Sequence, residues 1–210
     1  MTVTVLLTGF EPFAGATINE SWLAVQAAKQ IIESQRDSKV YSEELPVEFH
    51  TAGSILTKRV AELKPQIVVA CGLANGRKTV SIERVAINIR DAAIADNTGN
   101  QPIDEAIVTG GDVGYFTTLP IKRCMQVLKE HDLPVNISQT AGTYVCNEVF
   151  YTLMRTINAQ KHPARAGFVH IPAQKDLIIS ECATALALIV ITTLDSLNSE
   201  DACLAGGAIY

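Results

Sequence analysis

Residues Val135 to Ile157 read VNISQTAGTYVCNEVFYTLMRTI, and the succession of patterns within them sets the fold class. The short apolar run Val135–Ile137 has strand character, and a loop of small and polar residues follows it. Val149, Leu153 and Ile157 then recur at helical spacing, with Phe150 and Met154 beside them, so a strand feeds a helix. Thr143 is a candidate N-cap, which would put Cys146 at the third helical position. Free backbone N–H groups and the positive end of the helix dipole favour a thiolate there. The competing reading of Cys146 is a small buried hydrophobe, and the rest of the chain has to decide between them.

The same alternation of strand and helix extends outward on both sides. Thr2–Leu7 is a β-branched, apolar run ending at Thr8-Gly9. The loop FEPFAGATINES follows, and a helix opens at Ser21 with Trp22, Val25, Ala28, Ile31 and Ile32 among its apolar positions. The loop has neither a Gly-Lys-Ser/Thr ending nor GxGxxG, so it is not a phosphate loop. Val40–Phe49 suggests a more exposed strand interrupted by Pro46; Ala52–Leu63 is helical and stopped by Lys64-Pro65. Ile67–Cys71 is a buried strand ended by Gly72. Val80–Ile89 alternates as one strand, with Ile82, Arg84, Ala86, Asn88 and then Arg90 on one face and Glu83, Val85, Ile87 and Ile89 on the other. Gly110–Asp112 is a loop, Leu119–His131 a helix, and Ala166–Val169 a strand ending at His170. Strands alternating with helices predict an α/β fold with a largely parallel sheet. No linker divides residues 1–210, so one domain is expected, with 197–210 as a flexible tail.

Bulk properties narrow the function classes. With 48% apolar and 19% charged residues over 210 positions, the chain reads as globular. A formal charge of −5 without a Lys/Arg cluster argues against a nucleic-acid partner. Residues 177–194 carry one charge, Glu181, yet three threonines and flanking aspartates favour a helix buried against a sheet over a membrane span. Five cysteines without a CxxC pair suggest a reducing compartment, and with no signal-peptide pattern the expectation is a cytoplasmic protein with no membrane partner. No close-spaced Cys/His ligand pair exists, so no metal site is expected.

Ligands of parallel α/β sheets bind beyond the carboxyl ends of the strands. Phe10 and Phe13, the segment 73–83, Cys146 and His170 all follow strand ends. A Cys and a His so placed suit a nucleophile and its base, whereas His50, His131 and His162 fall at less suitable positions. Glu83 among apolar neighbours needs a partner, because burying an unpaired carboxylate is costly. By pattern alone that partner is Arg77, Arg84 or Lys78 in a structural ion pair.

Five blocks add a resemblance. LLTGFEPFAG with Asn19-Glu20-Ser21, SIERVAINIRDA, DNTGNQPIDE, SQTAGTYVCN and GFVHIPA, in this order over residues 5 to about 173, resemble the signatures of the pyroglutamyl peptidase I family of cysteine peptidases. The resemblance implies a three-layer α/β/α sandwich, cytosolic tetramers, and cofactor-free removal of an N-terminal pyroglutamyl residue from peptides. It implies a triad of Cys146, His170 and Glu83. It also implies a ring pocket from Phe10, Phe13, Leu73, Ile94, Tyr144 and Val145. The chain departs from the family at Leu73, where many members carry Gln, and at Tyr144, where some carry Phe. It departs again in Asp91–Asn97, DAAIADN, which lacks the family's Arg and Pro. These departures bear on pocket detail and loop rigidity. Backbone N–H groups near Cys146 are the natural oxyanion donors, with Arg84 or Arg90 as candidate assistants.

Overall fold

The computed structural model describes residues 2–159 and 164–207; His162 and the last part of the expected tail lie outside them. The first strand, β1 (Val3–Phe10), is followed by α1 (Glu20–Gln35), β2 (Ser38–Leu45), α2 (Thr51–Leu63) and β3 (Ile67–Leu73). After β4 (Val80–Glu83) come β5 (Val85–Ile87), β6 (Gly114–Phe116), α3 (Ile121–Glu130) and β7 (Val135–Ser138). Last are α4 (Val145–Ala159), β8 (Arg165–Ile171) and α5 (Ile179–Asp195). Asn19 caps α1, its side chain accepting from the Ser21 N–H. Lys64 ends α2 in the left-handed region at φ 45°, ψ 53°, directly before Pro65.

Six strands form the main sheet in the order β2-β1-β3-β8-β4-β7. The first four are mutually parallel, as are β4 and β7, but β4 meets β8 antiparallel. The sheet is therefore mostly parallel, with two strands running the other way. Leu6, Val68, Ala70, Ala166 and Phe168 pack on α2 and α4. Val5, Leu7, Val69, Cys71, Ile82 and Val169 pack on α1, α3 and α5. Both faces being covered, the central strands read as unbroken apolar runs, and the result is the three-layer α/β/α sandwich. The apolar 177–194 stretch becomes α5, which packs on the sheet and α1. No helix among the described residues is long and apolar enough to cross a membrane.

Two expectations change. The alternating run 80–89 is not one strand: β4 ends at Glu83, and β5 turns away to pair antiparallel with β6. All four β4 residues are buried, whereas Val85 and Ile87 are only half-buried, so Glu83 does not share a face with them. The C-terminal segment lies against the fold as far as it is described. Asp201 accepts from the Lys122 and Arg123 N–H groups at the start of α3 (2.9 and 3.0 Å), and Lys122 Nζ donates to the Leu204 carbonyl at 2.8 Å.

Candidate active site

Strand alternation on β8 turns Val169 and Ile171 to the α1/α5 face and Phe168 and His170 to the α4 face. The antiparallel pairing sets Ser81 opposite His170 and Ile82 opposite Val169. Glu83, two residues beyond Ser81 on the same face, is the diagonal neighbour of His170, within reach of a long side chain. Its Oε1 lies 2.7 Å from His170 Nδ1. The same oxygen accepts from Arg77 Nη1 at 2.6 Å, so Glu83 has both the structural ion pair and the histidine. The carboxylate is fully buried, and among the described residues its Oε2 has no hydrogen-bond partner. With the carboxylate at Nδ1, that nitrogen carries the hydrogen and Nε2 is left to accept.

Cys146 is the second residue of α4. Its Sγ lies over Gly72, where an added Cβ would come within 2.9 Å of the sulfur and of the Phe168 ring. Gly72 is in turn the register partner of His170, so the residue beneath the sulfur adjoins the imidazole's own backbone. Glycine is required here by space. Thr143 does not cap the helix: its hydroxyl donates to the Asp91 carbonyl at 2.6 Å, and the first helical N–H groups reach the Tyr144 carbonyl instead. Asn147 anchors this turn. Its Nδ2 donates to the carbonyls of Ile87 and Ile89 at 2.9 and 3.0 Å, and its Oδ1 accepts from the Ile87 N–H. On the next residue, Glu148 accepts from Arg90 Nε at 2.6 Å and the His50 N–H at 2.7 Å.

Cys146 and His170 open into one cavity of about 230 Å³, walled by Phe10, Phe13, Val47, Leu73, Tyr144 and Val145, with Asn19 and Arg77 as polar members. Ile94 does not line it; the DAAIADN loop turns that side chain outward, 47% exposed. The loop contributes through its backbone instead, the Ala95 carbonyl accepting the Tyr144 hydroxyl at 3.0 Å. Without the family's Pro, the loop is pinned by Asp96. Burial alone would raise that carboxyl's pKa, but N–H groups of Phe49, Asn100 and Thr98 and the Thr98 hydroxyl together lower it. Neither assisting arginine reaches the cavity: Arg90 is held by Glu148, and Arg84 donates to the Gly206 carbonyl. Among the described residues, Arg77 is the arginine that does line it, offered by the sequence only as an ion-pair partner. Asn147 has no signal in the sequence, since a buried clamp of this kind has no spacing signature.

The electrostatics reverse one expectation. Cys146 is half-buried at the cavity wall, and desolvation, then the Glu83 charge, push its pKa up to about 12. Arg77 and the helix-end amide pull the other way and lose. Burial lowers the His170 pKa, and Glu83 only partly restores it. Both shifts favour the uncharged forms, the thiol of Cys146 and the imidazole of His170. No group of three or more His, Cys, Asp or Glu side chains among the described residues is arranged to hold a metal.

A thiol and an imidazole opening into one small apolar cavity, with the imidazole oriented by a buried carboxylate, on a three-layer α/β frame: this is the equipment of a cysteine-type hydrolase. Comparison with known proteins agrees. The family model described as pyroglutamyl peptidase matches residues 3–199. A pyrrolidone-carboxylate peptidase of Clavibacter michiganensis is 44% identical over 98% of this chain and 99% of its own length. One from Bacillus cereus is 46% identical over 80% of this chain and 78% of its own. The crystal structure of Bacillus amyloliquefaciens pyroglutamyl peptidase I superposes with TM-score 0.89 at 37% identity, covering 98% of this chain and all of that one. Pyrrolidone carboxyl peptidase from Thermococcus litoralis gives TM-score 0.89 at 33% identity, covering 97% and 100%. The chain belongs to the pyroglutamyl peptidase family of cysteine peptidases.

Proposed function

We propose that this chain removes an N-terminal pyroglutamyl residue from peptides, with Cys146 as nucleophile, His170 as base and acid, and Glu83 as the group that orients His170. The observation that carries the reading is the 2.7 Å bond from buried Glu83 to His170, on the strand that pairs with Gly72 beneath the Cys146 sulfur. With the thiol pKa raised and the imidazole pKa lowered, the proton leaves sulfur as the carbonyl arrives. The sulfur attacks the pyroglutamyl carbonyl carbon while His170 Nε2 takes the thiol proton. Glu83 stabilises the imidazolium that forms. The N–H of Cys146, in the first helical turn and without an intrahelical acceptor, donates to the oxyanion. As the C–N bond breaks, His170 protonates the departing amine, leaving a thioester. Water then attacks with His170 taking its proton, and cleavage of the C–S bond returns that proton to the sulfur.

The cavity selects the substrate. A pyroglutamyl ring is an uncharged lactam, and about 230 Å³ walled by Phe10, Phe13, Leu73, Tyr144 and Val145 suits one such ring. A free Glu or Gln terminus would carry an ammonium into an apolar pocket and is rejected. No cofactor enters the reaction. Cytoplasmic location and a homotetramer complete the proposal, both from family resemblance. Hydrolysis of a pyroglutamyl-coumarin amide by the wild type and by Cys146→Ala tests it. Turnover by the first and none by the second is expected; a tenth of the activity surviving in the variant would remove Cys146 from its role, and ligand binding without wild-type turnover would make the protein a binder.

A further inference from the structure

The 230 Å³ cavity has room for the ring but not for a peptide behind it, so the departing chain must lie elsewhere. A second cavity of about 550 Å³ shares a wall with the first through Arg77. It runs along β7, with Met125 and Lys129 of α3 on one side and Ala205 to Gly207 on the other. β7 is the last strand of the sheet, paired only with β4 among the described residues. The Val80 N–H donates to the Pro134 carbonyl and the Arg84 N–H to the Ser138 carbonyl. Even-numbered residues of β7 therefore face β4, and the backbone groups of Val135, Ile137 and Gln139 face the groove. Among the described residues, the outward Ile137 carbonyl meets only the Gln139 side chain, at a long 3.4 Å. From this edge the backbone runs through Gln139 and Thr140, whose carbonyl accepts from Arg77 Nη2, to Ala141 and Gly142 in the first cavity's wall.

We propose that the leaving peptide binds in this groove as an added strand on the outer edge of β7, which no other described strand pairs. Main-chain pairing would give affinity without demanding particular side chains, as in other strand-addition complexes. The inference rests on the pyroglutamyl-peptidase reading and extends it to the peptide side of the scissile bond. Charge supplies a preference: Lys129 lines the groove, Arg77 beside it is already paired with Glu83, and among the described residues no Asp or Glu lines it. An acidic residue about three positions beyond the scissile bond, or a free terminal carboxylate there, is favoured over a basic one.

The test compares kcat/KM for pyroglutamyl-coumarin amide and for pyroglutamyl peptides carrying one to four alanines, amidated at the end. The peptides should gain about tenfold from one to four residues, mostly through KM, and N-methylation of one groove-facing amide should abolish the gain. Glu in place of the third alanine should be favoured over Lys by about fivefold. Lys129→Glu should reverse that preference with coumarin amide hydrolysis unchanged, which also shows that the variant folds. Rates independent of length, or Glu and Lys served alike by the wild type, would overturn the groove assignment while coumarin amide turnover leaves the activity standing. Absence of wild-type coumarin amide turnover would overturn both.

Discussion

Replacing Glu83 by Gln keeps the shape of the site and removes one charge. In the wild type the carboxylate oxygen lies 2.7 Å from His170 Nδ1, inside a site from which burial excludes water. As the thiol gives up its proton, the imidazole gains a positive charge centred about 4 Å from the carboxylate. At an effective dielectric near 20, that attraction is about 4 kcal/mol. A tenfold rate change corresponds to about 1.4 kcal/mol, so kcat should fall roughly a thousandfold. Arg77, donating to the same oxygen, would then be an uncompensated neighbour of the imidazolium and would add to the loss. Since the ring pocket is untouched, KM should change by less than about threefold. The pH profile is a second readout. His170 must be neutral to act, and its pKa is lowered from the ordinary 6.5 by burial, with Glu83 pulling it up. The wild-type acid limb of kcat/KM therefore lies below about pH 6.5. Without Glu83 that upward pull is gone, and the limb moves to still lower pH. Steady-state hydrolysis from pH 4 to 9, with circular dichroism to verify folding, measures both. A loss under tenfold, or an acid limb moving upward, would refute the coupling of Glu83 to His170.

Cys146 should react slowly with iodoacetamide at pH 7.5, after exposed Cys203, and its rate should climb with pH without levelling below about pH 9; a plateau near neutrality by mass spectrometry would mean a stable thiolate. Gly72→Ala places a methyl 2.9 Å from both Cys146 Sγ and the Phe168 ring, closer than real contacts allow. About 1–3 kcal/mol of stability and most of kcat should be lost, and a wild-type rate would mean the sulfur's position is not critical. Glu148→Ala leaves the Arg90 guanidinium, 5% exposed, without its carboxylate. A cost of about 3–5 kcal/mol, or roughly 6–20 °C in Tm, is expected by scanning calorimetry; a shift under 2 °C would place the pair in effective contact with solvent.

The sequence carried the strand–helix order well, because strands covered on both faces and helices covered on one leave different periodicities. It carried Cys146, His170, Phe10 and Phe13 to the right neighbourhood because each lies at the end of a strand or in the segment just after one. What it did not carry depends on direction and distance. Nothing in VSIE says that β4 runs against β8, yet that reversal makes Glu83 a neighbour of His170. The alternation through residues 80–89 persists across Arg84 although the strand does not, since β5 and β6 continue the period in a separate ribbon. Thr143 fits the sequence rules for a cap, but the Asp91 carbonyl competes for its hydroxyl from 52 positions away. The thiolate expectation is opposed for a related reason: helix-end amides are a local feature, whereas desolvation of the sulfur and the charge of Glu83, which raise its pKa, come from the tertiary fold.

The seam where β8 meets β4 joins two oppositely running groups of strands, and it brings together residues 87 positions apart. Closing that much chain is slow compared with forming the local helices. During refolding, ellipticity at 222 nm should therefore return before catalysis does, and a molecule with β1, β2 and β3 already assembled has Phe10 and Phe13 of the pocket wall but no working base. Enzymatic turnover in this protein is a clock for the last long-range closure rather than for collapse.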